Sequence, residues 1–504
     1  MSQDPAAAVQ QTSTAAPIER QALRTLFAID ENARVLAFAQ TLTGRLVLVA
    51  LFAAVLAIVK DAAWPQVLMI TGAAAACAYL PKYRAPILFG ATVALLIGKP
   101  TFWFVTKNIS DVMRQEQITR LSERTATFAA LLVFFLCAWG TLEFARRRNA
   151  SFLARKPVVA LLCAVTLMLA LACSPLLHGI SRVALWSLLI VFTSYLWFLA
   201  YALVDQRSRD RSPHLFQLGV FHPFWGSTST PFGKGAAFLR KMQAKNPQEL
   251  AVTQLKALKL LVWSWLLLQL ETLLVGLMEG RLHLPRIALV QAAFFEHHPY
   301  PLFIGWASLV WATGAAALSL AIWGHQIVAL ARLAGFRLPR NTWRPLESRT
   351  LVDFWNRYYY YFKELLVQFF FLPTFLRMFR NHPRLRVFFA TFMAAGVGNA
   401  VYHFIRDIGL AASMGLWGAI ESYTSYLFYC TVLATGIAIS QARANAGFKP
   451  SPKLIGRVWS FFCVWAFVVC LHVFGDESRA HGLGERLSFM ASLFGVNEWT
   501  TTPR

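Results

Sequence analysis

Long apolar stretches separated by short basic connections set the pattern of this chain. Five stretches hold no Asp, Glu, Lys or Arg: Thr125 to Leu142, Pro157 to Leu177, Val183 to Val204, Tyr300 to Gly324 and Val387 to Ile405. Five more are shorter or carry a charge: Leu46 to Val59, Ala63 to Leu80, Leu260 to Leu277, Ala411 to Ser440 and Val458 to Phe474. A hydrocarbon core of roughly 30 Å takes about 20 residues of helix to cross. Backbone groups inside it must find their hydrogen bonds within their own segment. The pattern therefore predicts an all-α, polytopic transmembrane helical bundle of about eleven spans, with Ala85 to Gly98 counted among them.

Composition fits that class. The 504 residues are 57% hydrophobic and 14% charged, too apolar for a soluble chain of this length. Residues 1–35 are polar, lack the apolar core and cleavage site of a signal peptide, and read as a flexible cytoplasmic tail ending in a short amphipathic segment. N-terminal transmembrane helices follow over 36–210, and a transmembrane core over 211–504. The seven cysteines (Cys77, Cys137, Cys163, Cys173, Cys430, Cys463 and Cys470) all fall in apolar runs, so they read as buried small hydrophobes, not as disulfides or metal ligands.

Lys and Arg number 48 against 24 Asp and Glu, a balance that in a soluble protein suggests nucleic acid. Here the cations sit in the connections, where they fix topology, and no nucleic-acid partner is expected. Arg146, Arg147, Arg148, Arg155 and Lys156 mark one cytoplasmic connection, Gln206 to Lys259 another, and Arg332 to Arg349 a third. The turn from His178 to Arg182 then lies outside. The basic loop from Lys99 to Arg124 disagrees, because alternation puts it outside as well. Either Ala85 to Gly98 does not span, or the loop is an exception to the charge rule.

One stretch stands apart: "FWNRYYYYFKELL", Phe354 to Leu366. Basic connections flank the longer segment Leu351 to Phe375 on both sides, with Arg377, Arg380, Arg384 and Arg386 following it. That predicts a re-entrant segment, which is tolerated only where protein or a wet cavity shields it from lipid. A central cavity is thus expected, and Tyr358 to Tyr361 face either this polar interior or an aromatic belt at the interface. Arg357, Lys363 and Glu364 fit the interior better.

The segment "GFRLPRNTWRPLESRTLVDFWNRYYYYF", Gly335 to Phe362, resembles the signature of membrane-bound O-acyltransferases (MBOAT), especially their bacterial alginate and teichoic-acid acylation branch. The matching residues are Gly335, Phe336, Leu338, Pro339, Pro345, Phe354, Trp355 and Arg357. "TFMAAGVGNAVYHF", Thr391 to Phe404, stands where that family has its Thr-Phe…Gly-Leu-Trp-His-Gly helix. "VFGDESRAHGLGERLSFMASLFG", Val473 to Gly495, is similar to its closing segment, and "FHPFWGSTSTPF", Phe221 to Phe232, takes the place of its Phe-Pro…Ala-Gly-Pro turn. Two departures matter. Tyr359 holds the position of one family histidine, and Asn399 that of the histidine treated as catalytic. His403 lies four residues on, one turn along the same helix face. Eukaryotic branches also pair an Asn with a His, but with the Asn in the earlier motif.

Acyl transfer from a thioester to a hydroxyl needs a base near the hydroxyl and a donor for the oxyanion. His403 supplies the first chemistry, and Asn399 and Tyr359 the second. The alternatives are a structural hydrogen-bonding histidine and a helix-packing amide. Trp355, Arg357, Tyr358, Tyr360 and Glu421 are expected to bind substrate, although Glu421 is equally a candidate for an ion pair inside the bundle. The pair His297-His298 lacks the further ligands a metal needs. "GSTSTPFGKG" lacks the Gly-Lys-Ser/Thr of a P-loop, and no Gly-x-Ser-x-Gly supports a serine hydrolase. The resemblance implies an enzyme of the plasma membrane that moves an acyl group, acetyl the expected one, from acyl-CoA or an acyl-carrier thioester to an envelope glycan, lipid or metabolite. It implies no tightly bound cofactor, contacts with membrane lipids, and a periplasmic acyl-accepting partner protein. The rival expectation is a non-catalytic scaffold or transporter subunit of degenerate acyltransferase-like fold.

Overall fold

The computed structural model describes residues 28–60, 63–98, 103–208, 210–226, 229–475 and 481–496. Most of the expected tail, residues 1–27, lies outside this set. Among the described residues the chain is helical without strands, apart from an isolated antiparallel bridge between Gln243 and Phe336. Among the described residues eight helices are long and apolar enough to cross a membrane: Leu42–Lys60, Glu123–Arg147, Gly179–Asp205, Pro247–Arg281, Leu302–Leu333, Pro383–Arg406, Thr424–Asn445 and Leu454–His472. The protein is a multi-pass membrane protein.

Four expected spans take other forms. Ala63 to Leu80 and Ala85 to Gly98 become one pair, Trp64–Tyr79 and Pro81–Gly98, bent by 111°. Pro157–Cys173 stops short because Ser174 turns back onto the Leu171 carbonyl and Pro175 cannot extend a helix. The run from Ala411 to Ser440 divides into Leu410–Ser422 and Thr424–Asn445, the first of them kinked at Gly415 where φ is 76°. Cys137, Cys163 and Cys463 are exposed, not buried among side chains. An apolar helix in lipid has an outward face, so an apolar neighbourhood in sequence does not imply burial in protein.

Contacts sort the helix ends onto two faces. On one, the Asp30 carboxylate meets Lys259 at 3.1 Å, Arg146 donates to the Gln206 side chain and the Ser212 carbonyl, Arg240 pairs with Asp210 at 2.7 Å, and Arg337 with Glu249 at 3.4 Å. On the other, Glu116 accepts from the Gly179 N–H and from Arg182, both at 2.7 Å, and the Gln115 amide donates to the Ala412 carbonyl. The first is the basic face. The loop before Arg124 thus shares the face of the His178 to Arg182 turn, and is an exception to the charge rule. The bent pair enters and leaves on this opposite face. Its apex, Tyr79, reaches Gln254 at 3.0 Å, while Ile97 at its end accepts from Arg124.

The tyrosine segment begins and ends on the basic face. Near its start the Trp343 N–H donates to the Arg357 carbonyl and the Val352 N–H to the Ser440 hydroxyl. Near its end Arg386 donates to the Phe375 carbonyl, its guanidinium 3.9 Å from that ring's centre. Between them the chain dips far enough for Phe370 to press on Gly398. The expected re-entrant path is present. The two largest apolar clusters each draw on residues from both 36–210 and 211–504, so one packed body surrounds this segment.

Candidate functional site

The helix that carries His403 begins with an irregularity. A π-helical turn, Met393–Gly398, precedes Asn399–Arg406. Such a turn inserts one extra residue and rotates everything after it, and π turns are frequent at functional sites. Small residues make it possible. A methyl on Gly396 would stand 2.9 Å from Ala434 Cβ, and one on Gly398 2.6 Å from the Phe370 ring. Asn399 emerges 2% exposed, and its Oδ1 has no hydrogen-bond partner among the described residues. One turn on, the His403 ring lies among Tyr426, Tyr402 and Phe362, with centroids 4.5, 5.0 and 5.7 Å away.

Facing it, the tyrosine run is broken. Tyr359 is extended (φ −140°, ψ 83°) between helices Leu351–Tyr358 and Tyr360–Leu366. The break is held from the preceding loop. The Asn341 carbonyl accepts from the Tyr360 N–H at 2.9 Å, its side-chain oxygen accepts from the Tyr361 N–H, and the Thr342 hydroxyl donates to the Tyr358 carbonyl. Helical spacing therefore does not apply across the run, and the four tyrosines part company. Tyr358 and Tyr359 line the cavity. Tyr361 turns away and donates to the Pro339 carbonyl, while Tyr360 sits under the Lys363 ammonium at 5.2 Å.

The cavity between these elements encloses about 820 Å³. Its walls bring together Trp355, Tyr358, Tyr359, Asn399 and His403. Along helix Leu302–Leu333 it touches residues from Thr313 to Leu330, a rise of about 26 Å. Leu330 lies by the basic face, while Lys60, Arg406 and His472 line the cavity at helix ends belonging to the other face. The cavity thus extends through most of the bundle. No carboxylate lines it among the described residues.

Three residues expected at the site lie elsewhere. Arg357 bonds Asp353 at 2.6 Å, approaches Glu347 at 3.7 Å and covers the Trp343 ring, because it stands on the side of its helix away from Trp355, facing the loop. Tyr360 is turned off the cavity by the same break. Glu421 is exposed at the end of the kinked helix Leu410–Ser422 and does not reach the cavity. Conversely, Tyr402, Tyr426, Tyr429, Trp225 and Ser229 line the cavity without having been singled out. Tyr402 adjoins His403, and Ser229 belongs to the glycine- and hydroxyl-rich stretch, so only proximity to other motifs marked them.

Two further features belong on the periphery. Glu116 has its carboxyl held below the usual carboxylate range, chiefly by the Gly179 N–H and then by the bond and charge of Arg182, against the cost of burial. Among the described residues no three His, Cys, Asp or Glu side chains gather as a metal ion would require. No family model matches this chain, and no curated protein matches it.

Proposed function

We propose that this protein is a membrane-bound O-acyltransferase that moves an acyl group, acetyl in the simplest case, from a cytoplasmic thioester to a hydroxyl. One observation supports the reading above the others: Trp355, Tyr358, Tyr359, Asn399 and His403, distant in sequence, share the wall of one cavity. In this reading the thioester of acyl-CoA or an acyl carrier enters from the basic face, where cations attract its phosphates or an acidic carrier. The acceptor is an envelope glycan, lipid or metabolite, or a periplasmic partner that carries the group onward. The membrane is the bacterial plasma membrane, with the basic face and the N-terminus cytoplasmic.

The chemistry follows from the groups present. His403 Nδ1 or Nε2 takes the acceptor's hydroxyl proton as its oxygen attacks the thioester carbonyl. The Asn399 amide and the Tyr359 hydroxyl donate to the oxyanion, a contribution typically worth several kcal/mol where water is excluded. The C–S bond then breaks and the thiolate leaves, taking up the proton. Trp355 and Tyr358 form the wall against which the thioester lies.

The test is transfer, or slow hydrolysis, of a labelled thioester by the purified full-length protein. His403→Ala is expected to lower the rate about a hundredfold or more, the usual scale of general base catalysis. Full activity in that variant removes His403 from the role. The departures from the family pattern at Tyr359 and Asn399 favour a second reading, a non-catalytic scaffold or transporter subunit. It gains if the wild type binds a thioester and neither transfers nor hydrolyses it.

A further inference from the structure

The stretch 229–235, "STPFGKG", touches three walls of the cavity at once. Ser229 lines it directly. The Thr230 hydroxyl and the Tyr402 hydroxyl lie 2.7 Å apart, which ties the stretch to the residue beside His403. Phe232 packs on Trp323 (5.6 Å between centroids), on Tyr361 (4.6 Å) and on Tyr359 (6.3 Å), so one ring meets both helix Leu302–Leu333 and the tyrosine break. Two residues on, Lys234 Nζ meets Glu364 Oε2 at 2.5 Å, and Lys363 holds the other carboxylate oxygen at 2.8 Å.

The backbone that delivers Lys234 is constrained. Gly233, Lys234 and Gly235 all have positive φ, at 102°, 52° and 83°. For lysine this is an uncommon conformation with a cost, kept only where surrounding contacts enforce it. Neither glycine can be replaced without displacement, since a methyl on Gly233 would stand 2.8 Å from Leu239 Cδ2 and one on Gly235 2.8 Å from Tyr201 Cβ. The ion pair is shielded, with 20% of the Lys234 side chain and 18% of the Glu364 side chain exposed, so water screens it less than a surface pair. Glu364 lies on the helix that starts at the tyrosine break, so whatever fixes Glu364 also fixes where Tyr359 stands.

We propose that Lys234 is a positioning residue: its pair with Glu364 clasps 229–235 to the tyrosine segment and holds Tyr359 and His403 in one geometry across the cavity. This rests on the acyl-transfer reading, in which Tyr359 and His403 serve the same reacting centre. Lys234 touches neither the cavity nor the substrate, and its effect passes through Glu364 and Phe232 on one side and through Thr230 on the other.

The test uses the full chain purified in a lipid bilayer mimic, with Lys234→Met, Glu364→Gln and the exchanged pair Lys234→Glu/Glu364→Lys, which keeps the total charge. Acyl transfer is measured together with amide hydrogen exchange. Lys234→Met and Glu364→Gln are expected to lower kcat about tenfold or more, on the scale that small misplacements of reacting groups produce, with little change in KM. Exchange should quicken in 229–235 and in 360–366 together, and the exchanged pair should restore both readouts. Unchanged kcat in Lys234→Met, exchange that quickens in only one of the two segments, or an exchanged pair no better than the single variants would overturn the proposal. A wild type without transfer activity defeats the functional reading instead, and the exchange data then decide the clasp alone.

Discussion

Gly398 shows how closely the site depends on a single atom. It is the last residue of the π turn, and the space where its Cβ would stand is filled by the Phe370 ring at 2.6 Å. Gly398→Ala must push Phe370 aside or straighten the turn, and overpacking of this kind typically costs about 1–3 kcal/mol. Either response moves Asn399. The variant is expected to lose transfer activity more than thermal stability, and equal activity with equal stability would show that the contact yields freely. Asn399→Ala should be milder than His403→Ala, since it removes a donor and leaves the base, and paired rate measurements will rank them. Asn399 and His403 were legible in the sequence because a turn of regular helix puts them on one face. Tyr360 stands off the cavity because that same regularity fails at Tyr359, where Asn341, from a loop, replaces the helix's own bonding, and Arg357 stands off it because it lies away from Trp355 on its own helix. Nothing in a run of four tyrosines announces where it breaks.

At the scale of elements, the tyrosine segment makes a directional prediction. With both ends on the basic face, single cysteines placed near Arg344 and near Arg380, in a background without the native ones, should resist an impermeant thiol reagent applied to the opposite face. Labelling of one of them would mean that the segment crosses. The loop before Arg124 makes another. Glu116 joins it to the Gly179 turn, and its pKa is depressed from the ordinary 4.5 on folding. A depressed carboxylate stabilises the folded loop above its unfolded pKa and loses that contribution as pH falls through the folded value. Proteolysis of this loop should therefore rise below about pH 4.5 in the wild type and be high and flatter with pH in Glu116→Gln. A wild-type rate independent of pH across that window would remove the latch. Cation counting grouped most basic connections on one face and failed here, because one half-buried carboxylate and a close turn set the loop's side. The re-entrant path was legible because cations flank it twice. The bend between Tyr79 and Pro81 was not, since two short apolar runs look alike whether they fold back or continue.

Across the whole molecule, the cavity's reach carries a burden unrelated to chemistry. It touches Leu330 by one face and His472 by the other. In any membrane that holds an electrochemical gradient, a continuous thread of water along it would let protons run through, so there the walls must insulate as well as bind. A ring of aromatic contacts lies beside His403, where Phe362 meets Tyr402 at 4.7 Å, Tyr359 at 5.5 Å and His403 at 5.7 Å. Phe362→Val thins that ring while keeping an apolar side chain. In proteoliposomes with a trapped pH dye, this variant should admit protons faster than the wild type under an imposed potential, and equal rates would place the seal elsewhere. A protein with this cavity is thus under two opposed demands, one for room and one for dryness, and the aromatic excess around His403 is where they meet.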